Sequence, residues 1–449
     1  MDLVRGLRNS TSATAVIAII SQRRESTMDC TVNSGLIQKA VALSALSFFL
    51  GCVDGGRSLG GPYLPTAQKV GTSQSAVEGE DDHSDSDGIQ RSLVCFSVKN
   101  GTDVNSSSVT GTLFHRGRYT SASKVILLNH GAASNRSQWD GGAAGDASPR
   151  TARLLASAGY VVITYDRLGF GESVYAGDPR TLLQINSVFM MNQVITQIRT
   201  GTFTRARVSD DDDHPAAACP TGTQAPFGMP TVIIGGHSAG GVQVMNYATR
   251  YHDIAAVIVF NSAGPPNSPV LPDLNARVVN PQVAAGLGYV YYFGPGPSGI
   301  SDDCLKVQFY QPGADAEVYN TNCANQNRLL TPVGDITSAI RPATLTRIGQ
   351  HLMGSTPLLL LISDHDALPT AASQNAQIAF FQQNADATTL IQPNAGHSSM
   401  FHRSAPQAVA GIVDWLASKG LAPADPRHDE DRDDQGDERP GDETADFLP

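Results

Sequence analysis

Between Ser92 and Gly420 two apolar rhythms alternate along the chain. Five short runs, "KVILLNHG" (124–131), "YVVITYD" (160–166), "TVIIGGHS" (231–238), "AAVIVFNS" (255–262) and "TPLLLLISD" (356–364), are apolar at nearly every position. A strand with one wet face alternates apolar and polar residues, so continuous runs predict strands covered on both faces, as in a parallel sheet. Upstream, "SLVCFSVKN" and "TGTLFHRG" lie close together and predict an antiparallel opening pair. The intervening segments, including "SPRTARLLASAG", "TLLQINSVFMMNQVITQIR", "GVQVMNYATRYH" and "AASQNAQIAFFQQN", carry helical patterns. Strand and helix in turn predict a wound α/β sheet flanked by helices.

Two stretches interrupt the alternation. Phe203 to Met229, with "SDDDDHPAAACPTG", is polar and predicts a surface loop ahead of the strand at 231. Gly264 to about Gly354 is longer and rich in Pro and Gly; a structureless insert of that length is foreign to a compact domain, so it predicts a cap or lid. The chain then divides into a leader (1–52), a low-complexity linker (53–90), a core (91–264 and 355–420), a cap or lid insertion (265–354) and an acidic tail (421–449) too poor in apolar residues to fold.

Charge sharpens the partner question. The net charge is −11, but "EGEDDHSDSD" (78–87) holds six acids, and the tail from Leu421 holds eleven against three arginines. These two pieces exceed the whole net charge, so the body is near neutral and offers no basic footprint for nucleic acid. "QKAVALSALSFFLGC" (38–52) places a lysine before an apolar run too short to span a bilayer. It predicts a secretory signal, with Met28 as a second possible start, no stable membrane span in the mature chain, and anchoring through this segment as the alternative. Four cysteines remain beyond it, at 95, 219, 304 and 323; Cys304 and Cys323 flank one irregular segment and form the first pair to expect. Asn100, Asn105 and Asn135 head Asn-x-Ser/Thr triplets.

The chemistry concentrates at "GGHSAG" (235–240), where a strand pattern gives way to a helix pattern. A serine at such a turn is forced toward positive φ, a backbone that costs a residue other than glycine about 1–3 kcal/mol. Gly236 and Gly240 remove the side chains that would collide there, and Ala239 is the smallest residue that starts a helix well. The small residues permit the strain, and the strain presents Ser238. The helix that follows aims its first amides at whatever negative charge forms beside it. "GFGES" lacks the Lys-Ser/Thr of a phosphate cradle, and consecutive Asp364, His365 and Asp366 cannot converge as metal ligands from one strand end. Neither metal nor cofactor is expected.

With strand before and helix after, this turn resembles the nucleophile elbow of the α/β-hydrolase family, over about 330 residues from Ser92 to Gly420. The resemblance implies a mostly parallel eight-stranded sheet and the order nucleophile, acid, histidine along the chain. Ser238 matches the nucleophile. "LLLLISDHDALPT" matches the acid strand with Ser363 in place of the usual glycine, which puts Asp366 at the acid position and leaves Asp364 as its rival. "IQPNAGHSSM" matches the histidine loop at His397, with His402 read as a surface residue. "LLNHGAASN" matches the first oxyanion loop, so the backbone amides of Ala132 and Ala239 are the expected donors, and His130 is expected to organise that loop. "YDRLGFGES" matches a turn in which Asp166 and Arg167 are structural.

The resemblance implies hydrolysis of a carboxylic ester of small size through an acyl-enzyme on Ser238. A peptidase or amidase, a haloperoxidase-like perhydrolase, and a catalytically silent binding module remain open. The aromatic run Tyr289, Tyr291, Tyr292 and Phe293 is either pocket lining, chiefly through Tyr291, Tyr292 and Phe293, or the core of the cap itself.

Overall fold

A computed structural model describes residues 88–101, 103–141, 150–207, 223–262, 288–291, 303–326, 329–339, 356–369, 371–384 and 386–423. The leader, nearly all of the linker and most of the acidic tail lie outside them.

Ten strands form the main sheet: β1 (Ile89–Val98), β2 (Ser107–Arg116), β3 (Val125–Asn129), β4 (Val161–Tyr165), β5 (Thr204–Arg207), β6 (Thr223–Gln224), β7 (Val232–His237), β8 (Ala256–Phe260), β11 (Leu358–Ser363) and β12 (Ala387–Gln392). Their order is β12-β11-β8-β7-β3-β4-β2-β1-β5-β6. The pairs from β12 through β4 are parallel and the remaining four pairs antiparallel. β9 (Tyr289–Tyr291) and β10 (Leu330–Pro332) pair separately within the insertion. The helices are α1 (Thr151–Ser157), α2 (Gln184–Thr200), α3 (Ala239–Tyr251), α4 (Asp303–Gln308), α5 (Ala316–Gln326), α6 (Val333–Ala339), α7 (Ala371–Asn384) and α8 (Ala405–Ser418).

All residues of β3, β4, β7, β8 and β11 are buried. Alternate residues feed two cores: Ile126, Leu128, Ile233, Ile258 and Leu359 pack with Trp139, Trp415 and Leu416, while Val125, Leu127, Ile234, Val257 and Leu360 pack with Val194, Ile198 and Val244. Burial on both faces explains the unbroken apolar runs, each large side chain contributing about 1.5–3 kcal/mol.

The expected eight strands become ten. β5 and β6 lie in the stretch read as a surface loop, where they extend the sheet past β1. Their sequences, Thr-Arg-Ala-Arg and Thr-Gln, hold no apolar pattern, because an edge strand is made by backbone pairing alone. Among the described parts of the insertion, Cys304 and Cys323 are disulfide-bonded, joining α4 to α5 as expected; Cys95 is disulfide-bonded as well. Asn100 is a poor glycan acceptor, since it is 3% exposed and its amide donates to Tyr175 Oη and Thr181 Oγ1. No helix among the described residues is long and apolar enough to cross a membrane.

This strand order positions the site. β3 precedes β4 on one side and β7 on the other, so the chain reverses direction across the sheet at β3, and ligands in open α/β sheets bind outside the carboxyl ends of the strands at such a point. Gly131 follows β3, Ser238 follows β7, Asp366 follows β11 and His397 follows β12.

Candidate active site

Ser238 has φ 51° and ψ −116°, a strained backbone between the last residue of β7 and the first of α3. Its N–H donates to Phe260 O (3.1 Å), and its carbonyl accepts from Val242 N–H (3.1 Å) and Ser262 Oγ–H (2.6 Å), so the turn is held from β8 and α3 together. A Cβ on Gly236 would overlap the Gly240 carbonyl, as an interaction across the turn requires. A Cβ on Gly240 would instead lie 2.5 Å from His130 O, so this glycine lets α3 start against the end of β3. Similarly, a Cβ on Gly131 would stand 2.8 Å from His237 Nδ1 and 3.4 Å from Ser238 Cβ.

The structure brings His397 and Asp366 together. His397 Nδ1 lies 3.1 and 3.0 Å from the two oxygens of Asp366, and both side chains are 2% exposed. Nδ1–H is therefore the donor, which leaves Nε2 as the nitrogen free to serve as acceptor; Nε2 is buried and has no hydrogen-bond partner among the described residues. Asp366 Oδ1 also accepts from Leu368 N–H (2.9 Å). The rival carboxylate works elsewhere: Asp364 accepts from Asn394 N–H (3.0 Å) and Ala395 N–H (3.2 Å), shaping the loop that carries His397.

Several residues that hold this loop carry no pattern in the sequence. His237 Nε2–H donates to His397 O (2.9 Å), and Asn261 Nδ2–H donates to the same oxygen (2.7 Å). Asn261 also links β8 to β11, accepting from Ser363 N–H (2.7 Å) and donating to Ser363 Oγ (3.0 Å). The serine in place of glycine at 363 thus fastens the acid strand. Ser398 N–H donates to Gln308 O (2.8 Å) at the end of α4.

His402 is not a surface residue. It is fully buried, its Nε2 accepts from Gly396 N–H (3.0 Å) and Tyr310 N–H (3.1 Å), and its Nδ1–H donates to Ser398 O (3.0 Å). Three backbone bonds satisfy the ring, so burial costs it no unmet polar group. Burial pushes its pKa down to about 4, and lowers those of His130 and His237 well below the ordinary histidine value. An unfolded histidine titrates near 6.5, so the stability carried by neutral His402 is complete above that pH and is lost as pH falls toward 4, a contribution of about 3 kcal/mol. Urea unfolding of the wild type is expected to show stability falling between pH 6.5 and 4, and His402→Gln to lower stability at pH 7 while flattening that fall. An unchanged slope in the variant would show that another group carries it.

The loop after β3 is built as densely. His130 Nε2 accepts from Arg167 N–H (3.2 Å), so its proton sits on Nδ1 and donates to Gly131 O (2.8 Å). Gly131 N–H donates to Gln138 Oε1 (3.1 Å). No bond to the N–H of Ala132 or Ala239 is present among the described residues. Asp166 accepts from Arg136 N–H (2.7 Å), Glu172 N–H (2.9 Å) and the Arg136 guanidinium, and Thr110 N–H donates to Ser173 Oγ (2.9 Å). The turn at 165–173 is scaffolding of the loop. Tyr291 lies in β9; Tyr292 and Phe293 fall outside the described residues. Among the described residues no three His, Cys, Asp or Glu cluster as metal ligands would.

Solved structures of the same architecture include an esterase of Thermogutta terrifontis (18% identity, 72% of this chain and 98% of that one, TM-score 0.49). A carboxylesterase of Bacillus subtilis (12%, 72% and 91%, TM-score 0.46) and a protein of Mycobacterium tuberculosis (13%, 72% and 98%, TM-score 0.50) are also similar. At 13% identity and a TM-score of 0.50, the likeness to the last of these shows a shared fold alone. No curated protein matches the chain in sequence. The model of the alpha/beta hydrolase family matches residues 125–412, from β3 into α8 and across every residue of the site. With more than half of its length so matched, and with this strand order, the chain belongs to the alpha/beta hydrolase family.

Proposed function

We propose that the chain hydrolyses carboxylic esters through an acyl-enzyme on Ser238. The observation that carries this reading is the arrangement of His397: its Nδ1–H is held by both oxygens of Asp366, and its buried Nε2 is left without a partner among the described residues. A serine hydroxyl is a weak nucleophile at neutral pH, so Nε2 takes its proton on attack and returns it to the leaving alkoxide. Asp366 holds the ring in the tautomer that makes this possible and stabilises the imidazolium. The amides of Ala132 and Ala239 receive the oxyanion. Bonds between nucleophile and base are often long before substrate arrives and shorten in the complex.

Esters are preferred over amides because an alkoxide departs with less protonation than an amine needs. The insertion, read as a cap, favours small soluble esters. The disulfides at Cys95 and Cys304–Cys323 support an oxidising compartment, in keeping with a secretory leader. A panel of p-nitrophenyl esters from acetate to palmitate, run beside p-nitroanilides, is expected to give highest kcat/KM at the short acyl chains and little anilide turnover. Faster anilide than ester cleavage would make the chain an amidase.

A further inference from the structure

The insertion reaches into the oxyanion loop from two directions. Thr331, in β10 and fully buried, accepts from Ala133 N–H at 2.9 Å. Ala133 has φ +50°, a left-handed backbone that a residue with a Cβ holds only when its surroundings enforce it. Asp335, in α6 and fully buried, pairs with Arg167 at 2.8 Å, and Arg167 in turn donates from Nη2 to Gly131 O at 3.2 Å. Gln184 Nε2–H donates to the same Asp335 oxygen (2.9 Å), and the Arg167 guanidinium lies 4.3 Å from the Phe170 ring centroid. Asp335 Oδ1 and the two Arg167 Nη atoms thus have fixed partners.

Gly131 O thus accepts two hydrogen bonds, one from His130 Nδ1–H and one from Arg167. In a planar trans peptide the C=O and the following N–H point in opposite directions. Holding the Gly131 carbonyl toward Arg167 turns the Ala132 N–H away from it, in a loop that Ser238 borders at Gly131. A flip of this one peptide would put a carbonyl oxygen where an oxyanion must sit. Thr331 blocks that flip at the next peptide, and Asp335 blocks it through Arg167.

We infer that Thr331 and Asp335 of the insertion, acting through Ala133 and through Arg167, are positioning residues that hold the Gly131–Ala132 peptide in its donating orientation. The inference rests on the Ser238 acyl-enzyme reading. The insertion is then a part of the transition-state site as well as a cover over it, and its segment 330–339 cannot be exchanged without rebuilding the oxyanion loop.

The test uses the full chain, a p-nitrophenyl ester, and kcat normalised to active sites titrated by the burst, so that unfolded protein does not count. Thr331→Val, which keeps shape and loses the acceptor, is expected to lower kcat per titrated site about tenfold with KM within about twofold. Thr331→Ser is expected to restore it. Asp335→Asn is expected to lower kcat about a hundredfold, at the low end of the 10²–10³ that follows outright loss of a donor. Binding of phenylboronic acid, whose tetrahedral adduct needs the same donor, should weaken in proportion to kcat. Leu416→Ala, a core cavity in α8 remote from the loop, should lower Tm and leave kcat per site unchanged. If Asp335→Asn does not fold, Thr331→Val decides. Wild-type kcat per site in Thr331→Val, or equal loss in Thr331→Val and Thr331→Ser, overturns the inference and leaves the esterase standing. A wild type that neither turns over the ester nor takes a fluorophosphonate label on Ser238 removes the esterase reading, and this inference with it.

Discussion

Ser238→Ala is expected to lower kcat for a short-chain p-nitrophenyl ester by about 10⁶-fold, with KM changed little. Without the oxygen there is no proton for His397 to take, no acyl-enzyme and no burst. What survives is the acceleration of about 10³–10⁴ over water that an oxyanion hole and binding supply alone. His397→Ala should fall by a similar factor, and the double variant by no more than either, because nucleophile and base act as one unit. Labelling by a fluorophosphonate should reach one per chain in the wild type and vanish in Ser238→Ala. The strained φ of Ser238 adds a second sign: alanine at this position removes the chemistry and keeps the strain, so Tm should move little. Turnover in Ser238→Ala within tenfold of wild type, or a label that stays, would place the nucleophile elsewhere, whereas a wild type that takes no label would return the chain to the binding-module reading.

What could be read in the sequence follows from where side chains carry the information. β3, β4, β7, β8 and β11 announce themselves because parallel strands are buried on both faces, and unbroken apolar runs have few other uses. Ser238 is legible because a strained turn leaves glycines as its trace. Asp366 and His397 depended on their order along the chain, since nothing in sequence separation says that residues 366 and 397 meet. β5 and β6 are silent because backbone bonds, β5 to β1 and β6 to β5, make them. His402, Asn261 and His237 are silent for a related reason: each is a polar side chain bonded to main-chain atoms, which leave no mark in the sequence, and a histidine in "HSSMFHRS" looks the same whether wet or saturated by amides. The insertion is the largest illegible part. Its composition predicts a cover, yet Thr331 and Asp335 point to a second use that no periodicity or motif could carry.

Asp366→Asn is expected to lower kcat by about 10⁴-fold while the fold is retained. In the wild type both carboxylate oxygens face His397 Nδ1, so only the tautomer with a proton on Nδ1 is satisfied. An amide can turn its NH₂ toward Nδ1 instead, and the ring then carries its proton on Nε2, where it cannot accept one from Ser238. The loss is therefore of the right tautomer more than of a negative charge, and KM should be little affected. Asp364→Asn provides the contrast. That carboxylate receives Asn394 N–H and Ala395 N–H, and an amide oxygen can keep one of the two bonds, so the cost should be about 1 kcal/mol of stability with kcat down by less than about tenfold. Two carboxylates one residue removed from a shared neighbour thus separate by about three orders of magnitude in rate. Equal effects at the two positions would mean that the carboxylate bonded to His397 in this structure is not the one that orients it during turnover.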